Sequence, residues 1–145
     1  MEKLPSISVP LKEMSPLTLA FLGDGVFELY VREFLVGQGN CPVKKLHART
    51  VEIVRCESQS YFVKEILYPL LTEEERNVFL RGRNAKVHHV PKNARVEDYH
   101  NATGLEALFG YLYLKGETGR LQEFFDRILS QGQGIEQEAL ACEKE

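Results

Sequence analysis

The stretch LTLAFLGDGVFELYVREFLV, residues 17–36, decides the fold. It follows Ser15-Pro16, where a hydroxyl can cap a helix and a proline fits the first turn. It ends before Gly37 and Gly39, as is typical of helix C-termini. Because apolar residues occupy most of its positions, we predict one helix that is covered by protein on more than one side. That need for cover also predicts that the chain forms a homodimer.

Helical spacing of apolar residues continues through most of the remaining chain, and no alternating strand pattern or internal repeat is present. The fold class is therefore all-α. We expect one bundle over residues 15–130, after an irregular arm at 1–14 and before a tail at 131–145 whose composition predicts disorder. The expected helices after the first are 43–71 with Pro69 near its end, 73–83 behind a Thr72–Glu75 capping box, 93 or 94 to 115 with a bend near Gly104, and 120–130.

The composition excludes several classes of protein. The chain has 145 residues, of which 43% are hydrophobic and 27% charged, as in soluble globular domains. No uncharged apolar stretch is long enough to cross a membrane, and the first ten residues do not form a secretory signal. The spacing of the three cysteines matches no zinc pattern. We therefore expect a cytoplasmic protein without a membrane partner.

Charge is unevenly distributed along the chain. The net charge of −3 argues against a nucleic-acid partner, but residues 76–95 hold six basic residues and no acidic one, while the tail carries the negative charge. A phosphate backbone responds to local charge, so this segment is a candidate RNA-binding loop. The alternative is a solvated surface, the common interpretation of a charge run. The candidate RNA-binding residues are Arg81, Arg83, Asn84, Lys86 and Lys92, with a weaker second cluster at Lys44, Lys45, Arg49 and Arg55.

The adjacent pair His88-His89 in this loop raises the question of a metal site. No third ligand lies at a suitable spacing from the two histidines. We therefore interpret both as loop residues, and a position near bound RNA is the weaker alternative.

Asp24 lies between two glycines in the first helix. A glycine inside a helix costs about 1 kcal/mol relative to alanine, so a close neighbour, a second helix or a bound metal, would explain Gly23 and Gly25. The alternative is a hydrated stripe at i, i+4 and i+8, in which Glu28 and Arg32 form an ion pair.

Glu106 is the only charge between residues 104 and 114, and Gly110 lies one turn beyond it. A buried lone carboxylate costs several kcal/mol, and a second acid facing it raises the pKa of both. A divalent cation between Asp24 and Glu106 would remove both penalties, and Mg²⁺ is usually held by one or two carboxylates plus a phosphate. The alternative is a core glutamate satisfied by a hydrogen bond or an arginine.

Ordered motifs in the chain resemble those of the ribonuclease III family. FLGDGVFE at 21–28 is similar to the signature helix of that family, and EALFG at 106–110 is similar to its second catalytic helix. RGRNAK at 81–86, LH at 46–47 and ESQS at 57–60 resemble more specifically the Mini-ribonuclease III branch. The resemblance extends over residues 16–130.

The resemblance implies an all-helical endoribonuclease that dimerises and holds double-stranded RNA in a valley across the dimer. It implies hydrolysis assisted by Mg²⁺, with Mn²⁺ as a substitute, through Asp24 and Glu106 as catalytic and metal-binding residues. Water would be the nucleophile, and the products would carry a 5′-phosphate and two-nucleotide 3′ overhangs. The Mini branch implies maturation of the ends of the large-subunit (23S) ribosomal RNA precursor, with a ribosomal protein as a candidate partner that presents the RNA.

The chain departs from the larger family at two positions. Members with four carboxylates have an acid where this chain has Ala20 and another where it has Thr103. The Mini branch shares these losses, so they put a two-metal site held by the protein alone in doubt rather than activity itself. They leave open an alternative function, a catalytically inactive ribonuclease III-like module that binds or scaffolds RNA. A generic helical interaction domain, with both acids as surface charges, is the third interpretation.

Overall fold

The computed structural model of the protein describes residues 9–87 and 89–132, and over these residues it contains helices and no strand. The predicted all-α class is confirmed. The first eight residues, His88 and the tail from residue 133 lie outside the described residues. The helices are α1 (Pro16–Gly37), α2 (Val43–Val54), α3 (Cys56–Tyr61), α4 (Glu73–Arg83), α5 (Val96–Lys115) and α6 (Thr118–Gln131), with a 3₁₀ turn at Leu11–Glu13 before them.

α1 is the helix that the sequence predicts. The Ser15 hydroxyl accepts a hydrogen bond from the Leu17 N–H at 3.2 Å, and proline follows the cap. The helix packs along α5, and Phe27 of α1 lies at the centre of the core. Its ring meets that of Phe109 edge-on, with centroids 5.3 Å apart, and also meets Phe125 of α6. No helix in the described part of the chain is long and apolar enough to cross a membrane.

The predicted helix over 43–71 is interrupted. α2 ends at Val54, Arg55 adopts an extended conformation with ψ 158°, and the chain continues as α3, a π-helical turn at Phe62–Leu67 and a 3₁₀ turn at Tyr68–Leu70. Two side chains of α3 stabilise this break, because they donate hydrogen bonds to carbonyl groups at the end of α2. Gln59 donates to the Val54 oxygen and Ser58 to the Glu52 oxygen, each at 2.6 Å.

The capping box at the start of α4 is confirmed, since Thr72 and Glu75 exchange hydrogen bonds. Glu75 is only 5% exposed, and both of its carboxylate oxygens accept hydrogen bonds at 2.8 Å from Arg120 of α6. Arg120 also donates to the Leu70 oxygen at 2.8 Å. This ion pair fixes the start of α6 against the start of α4.

The boundaries of α5 and α6 differ slightly from the prediction. α5 begins at Val96, and α6 begins at Thr118 rather than at residue 120. α5 continues through Gly104 without an interruption. A Cβ at Gly104 would lie 2.7 Å from the Phe79 oxygen, which means that this glycine permits close packing of α4 on α5. α5 ends at Lys115, and the next residue, Gly116, caps it with a φ of 86°, in the left-handed region.

Candidate active site

α1 and α5 cross with their backbones in contact at two glycines. A Cβ at Gly23 would lie 1.6 Å from the Glu106 carbonyl oxygen, and one at Gly110 would lie 2.0 Å from the Leu19 oxygen. The close approach inferred beside Asp24 is therefore confirmed at Gly23. No atom of the described chain lies within 4 Å of a Cβ at Gly25, so only Gly23 is explained by the crossing.

This crossing brings the two predicted acids, Asp24 and Glu106, together. Asp24 is exposed, whereas most of Glu106 is buried. Burial, the negative charge of Asp24 and a hydrogen bond that protonated Glu106 donates to Asp24 together raise the pKa of Glu106 to about 8, and burial is the largest of these causes. A hydrogen bond from Gln59 acts in the opposite direction.

The pair fits a divalent cation on its own chemistry. The mostly buried carboxyl of Glu106 lies against the negative charge of Asp24, and a dication would supply the counter-charge that favours its ionised form. Their oxygen ligands are of the type that Mg²⁺ prefers. Within residues 9–87 and 89–132, no three His, Cys, Asp or Glu side chains lie close enough together to hold a metal. The described site therefore has two acids, Asp24 and Glu106.

A third polar side chain, Gln59 of α3, lies against the pair. It is 2% exposed, and its Nε2 donates to the Val54 oxygen at 2.6 Å and to Glu106 Oε2 at 3.4 Å. In the sequence, Gln59 stands out only as part of the ESQS motif, which predicts no role for it. The signal was weak because 47 residues separate Gln59 from Glu106.

Ala20 and Thr103 supply no acid, and the structure shows what they do instead. Ala20 is 6% exposed and packs in a small apolar cluster with Leu19 and Ala107. The Thr103 hydroxyl is also buried and donates to the Tyr99 oxygen at 3.0 Å, one turn earlier in α5. Both positions are therefore part of the packing around the crossing.

Glu28 lies one turn beyond Asp24 along α1 and pairs with Arg32. Arg32 donates to Glu28 Oε2 from Nε at 2.9 Å and from a second guanidinium nitrogen at 2.8 Å. The predicted i, i+4 ion pair is confirmed, and Glu28 is the partner of Arg32 on the surface of α1.

The start of the basic loop is anchored to the helices behind the site. Arg83 Nε donates to Asn101 Oδ1 at 2.8 Å, and the buried Asn101 amide donates to the Ser60 hydroxyl at 3.0 Å. Arg83 also reaches Asn84 at 3.3 Å. Arg83 therefore connects the loop to α5 and α3, and Ser60 is the residue next to Gln59.

The other basic candidates differ in their exposure. Arg81, Lys86 and Lys92 are exposed on α4 and the loop, and Lys44 and Lys45 are exposed on the first turn of α2. Arg55 is also open, with 59% of its side chain exposed. Arg49 pairs with Glu52 and exposes only 12% of its side chain, which makes it the least accessible of the second cluster.

The chain is similar to known proteins in both sequence and structure. The model of a family described as the ribonuclease III domain matches residues 17–117. A Mini-ribonuclease 3 from Thermoanaerobacter sp. (strain X514) is 50% identical over 113 residues, which cover 78% of this chain and 79% of the relative. A Mini-ribonuclease 3 from Clostridium tetani (strain Massachusetts / E88) is 44% identical over 121 residues, covering 83% and 80%. A crystal structure of a protein from Fusobacterium nucleatum matches with a TM-score of 0.74 and 28% identity, covering 83% of this chain and 95% of that one.

Proposed function

Because the chain belongs to the ribonuclease III family, in its Mini-ribonuclease III branch, and is an endoribonuclease, we propose that it hydrolyses double-stranded RNA at a Mg²⁺ ion held by Asp24 and Glu106. The observation that carries the proposal is the mostly buried Glu106 carboxyl lying against Asp24, with its pKa raised to about 8. Such a pair is costly to keep in a fold unless it has a use.

The two acids have different roles in this proposal because they differ in exposure. Asp24 is open to solvent, where the ion and an RNA phosphate can reach it, while Glu106 is fixed within the crossing of α1 and α5. When bound, Mg²⁺ would supply an acidified water as nucleophile and would neutralise charge on the scissile phosphate. Glu106 must lose its proton to act as a ligand, so cation binding below about pH 8 releases a proton.

The exposed lysines and arginines of the basic loop and of α2 would contact the RNA phosphates. A-form RNA is recognised mainly by shape, phosphates and 2′-hydroxyls, so no base-reading side chains are needed. Arg83 has a distinct role in this proposal, because its hydrogen bond to Asn101 orients the loop. The residues proposed to contact RNA are Arg81, Asn84, Lys86, Lys92, Lys44, Lys45 and Arg55, with a smaller part for Arg49 because of its burial.

A homodimer is part of the proposal, supported by an unusual apolar stripe on α1. Phe21 is 85% exposed, and Leu17 and Leu29 on the same stripe are 38% and 42% exposed. Beside them lies a groove of about 430 Å³, lined by Leu22, Val26 and Leu29 of α1 and by Tyr113 of α5 among others. Each copy therefore offers both an aromatic side chain and an apolar groove, as a two-fold interface requires.

The remaining details rest on the Mini-ribonuclease III branch. They are maturation of 23S ribosomal RNA ends in the cytoplasm, 5′-phosphate products with two-nucleotide 3′ overhangs, and a ribosomal protein that presents the RNA. The inactive-module alternative draws on Ala20 and Thr103, but it is less favoured because the chain is an endoribonuclease.

The experiment compares a long double-stranded RNA with either of its strands alone, in Mg²⁺ and in Mg²⁺ with excess EDTA. We expect cutting of the duplex only, abolished by the chelator, with 5′-phosphates on the product ends. Cutting of the single strand at the same rate would contradict the substrate, and cutting in EDTA would contradict the cation. Binding of the duplex without cutting in Mg²⁺ or Mn²⁺ would favour the scaffold.

A further inference from the structure

Gln59 has a buried oxygen that nothing in the described part of the chain satisfies. The side chain is 2% exposed, and Oε1 has no hydrogen-bond donor among the described residues. Leaving a buried acceptor unpaired costs about 1–3 kcal/mol, and most buried polar atoms in folded proteins have a partner. Oε1 therefore calls for a donor or a cation from outside the chain.

The orientation of the amide is fixed by its neighbours. The Val54 carbonyl oxygen can only accept, so the group that faces it at 2.6 Å must be Nε2. Turning the amide over would satisfy neither atom, because Oε1 would then face the Val54 oxygen. The break at Arg55 makes this hydrogen bond possible, because α2 ends at Val54 and the Val54 carbonyl is not used within a continuing helix.

Oε1 also lies near the acid pair. It is roughly 2.2 Å from Nε2 by the bond lengths of an amide. Nε2 in turn lies 3.4 Å from Glu106 Oε2, so the gap between Oε1 and that carboxylate oxygen is no more than the sum of the two distances. One water molecule can span such a gap by two hydrogen bonds.

We propose that Gln59 is a positioning residue of the cation site, whose Oε1 accepts a hydrogen bond from a water bound to the ion held by Asp24 and Glu106. This inference rests on the proposed function. Partners of this kind orient the ligands of a metal and tune its affinity. Nε2 of the same amide steadies Glu106, so one side chain would hold both a ligand and a water.

A glutamine suits this position better than a third acid. A carboxylate next to Glu106 would add another like charge to a mostly buried site and would disfavour ionisation of Glu106. An amide gives an oxygen acceptor without charge, and Mg²⁺ sites keep several waters that need such acceptors. In this way Gln59 would partly compensate for the acids that are missing at Ala20 and Thr103.

The test measures Mn²⁺ binding to the protein without RNA, by the loss of the free Mn²⁺ electron paramagnetic resonance signal. We expect Gln59→Leu to weaken Mn²⁺ binding roughly tenfold, and Asp24→Asn to abolish it. The matched control is Gln38→Leu, because Gln38 caps the far end of α1, fourteen residues beyond Asp24 and about 20 Å away. This variant should bind Mn²⁺ as the wild type does. In cleavage assays, excess Mg²⁺ should restore the rate of Gln59→Leu, which a purely structural defect would not allow.

A second variant guards against a folding defect. Gln59→Met keeps the length of the side chain without its acceptor oxygen, so Mn²⁺ should raise its Tm less than that of the wild type. Suppose that the wild type binds Mn²⁺ and cuts duplex RNA. A folded Gln59→Leu protein with wild-type Mn²⁺ affinity would then overturn the role of Gln59 and leave the proposed function standing. A folded Gln59→Met protein that Mn²⁺ stabilises as much as the wild type would overturn it too. A wild type that binds no Mn²⁺ would overturn both the role of Gln59 and the proposed function.

Discussion

The carbonyl oxygen of Glu106 occupies the space where a side chain at Gly23 would begin, because a Cβ there would lie 1.6 Å from it. The same contact that lets α1 and α5 cross therefore places the carboxyl of Glu106 beside Asp24, the residue after Gly23. Packing and chemistry depend on the same two helices at this point, so changes to the crossing should affect both.

Replacing Gly23 by alanine should force the helices apart. We expect a loss of several kcal/mol in the free energy of unfolding, since the obstacle is backbone and cannot rotate away. Urea denaturation measures the loss. The control is Gly119→Ala in α6, where a Cβ meets no described atom within 4 Å and alanine should leave stability unchanged or raise it by up to about 1 kcal/mol. Equal stability of the two variants would contradict the close crossing.

The raised pKa of Glu106 predicts how the stability of the metal-free protein depends on pH. The pKa is about 8 in the folded state against 4.5 ordinarily, so the folded protein binds the proton more tightly than the unfolded chain. Stability from this group is therefore full below about pH 4.5 and is lost as the pH rises to about 8, by a few kcal/mol. Denaturation in EDTA across this range should show the loss in the wild type and not in Glu106→Gln. A parallel pH profile of the two proteins would show that Glu106 is not perturbed.

The Glu75–Arg120 pair predicts a separate effect on stability. Burial raises the pKa of Glu75, but the hydrogen bonds from Arg120 and Thr72 outweigh burial and leave the pKa lowered. Arg120→Met would leave this buried carboxylate without its cation and should lower the free energy of unfolding by about 2–3 kcal/mol, measured by thermal or urea denaturation. The control is Arg127→Met, an exposed position on the same helix, which should change stability little. The contribution of the pair should disappear as the pH falls below about 4.5, the ordinary pKa of glutamate. Equal stability of the two variants at neutral pH would rule out a structural role for the pair.

The apolar stripe on α1 predicts the oligomeric state. Sedimentation of the wild type at micromolar concentration should give a dimer, and Phe21→Asp should give a folded monomer that cuts duplex RNA poorly. Val51→Ser is the control, since Val51 is an exposed apolar residue of α2 and should leave the dimer intact. A wild type that sediments as a monomer, or a Phe21→Asp protein that remains a dimer, would remove this interface from the account.

Much of the fold could be predicted because its signals are local. The Ser15 cap, the Thr72–Glu75 capping box and the end of α5 at Gly116 depend on residues within one turn of each other. The acid pair could be anticipated for a different reason: each acid is a charge in an apolar helix with a glycine within about one turn, which signals a crossing before the partner helix is known.

The remaining features depend on contacts between distant residues. The break at Arg55 follows from side chains of α3 that bond back to α2, and apolar spacing carries no trace of it. Gln59 meets Glu106 across 47 residues, and Arg83 meets Asn101 across 18. The sequence does not distinguish Gly23 from Gly25, because a glycine pattern does not show which face of a helix meets its neighbour.

The central claim is that Asp24 and Glu106 together hold the cation that cuts duplex RNA. Its most direct test is the single-turnover cleavage rate of Asp24→Asn and Glu106→Gln at saturating duplex and Mg²⁺. Glu28→Gln, one turn along α1 and paired with Arg32, is the matched control. We predict that both site variants bind the duplex, that each loses at least about a hundredfold in rate, and that the control cuts as the wild type does. Wild-type rates in both site variants would contradict the claim.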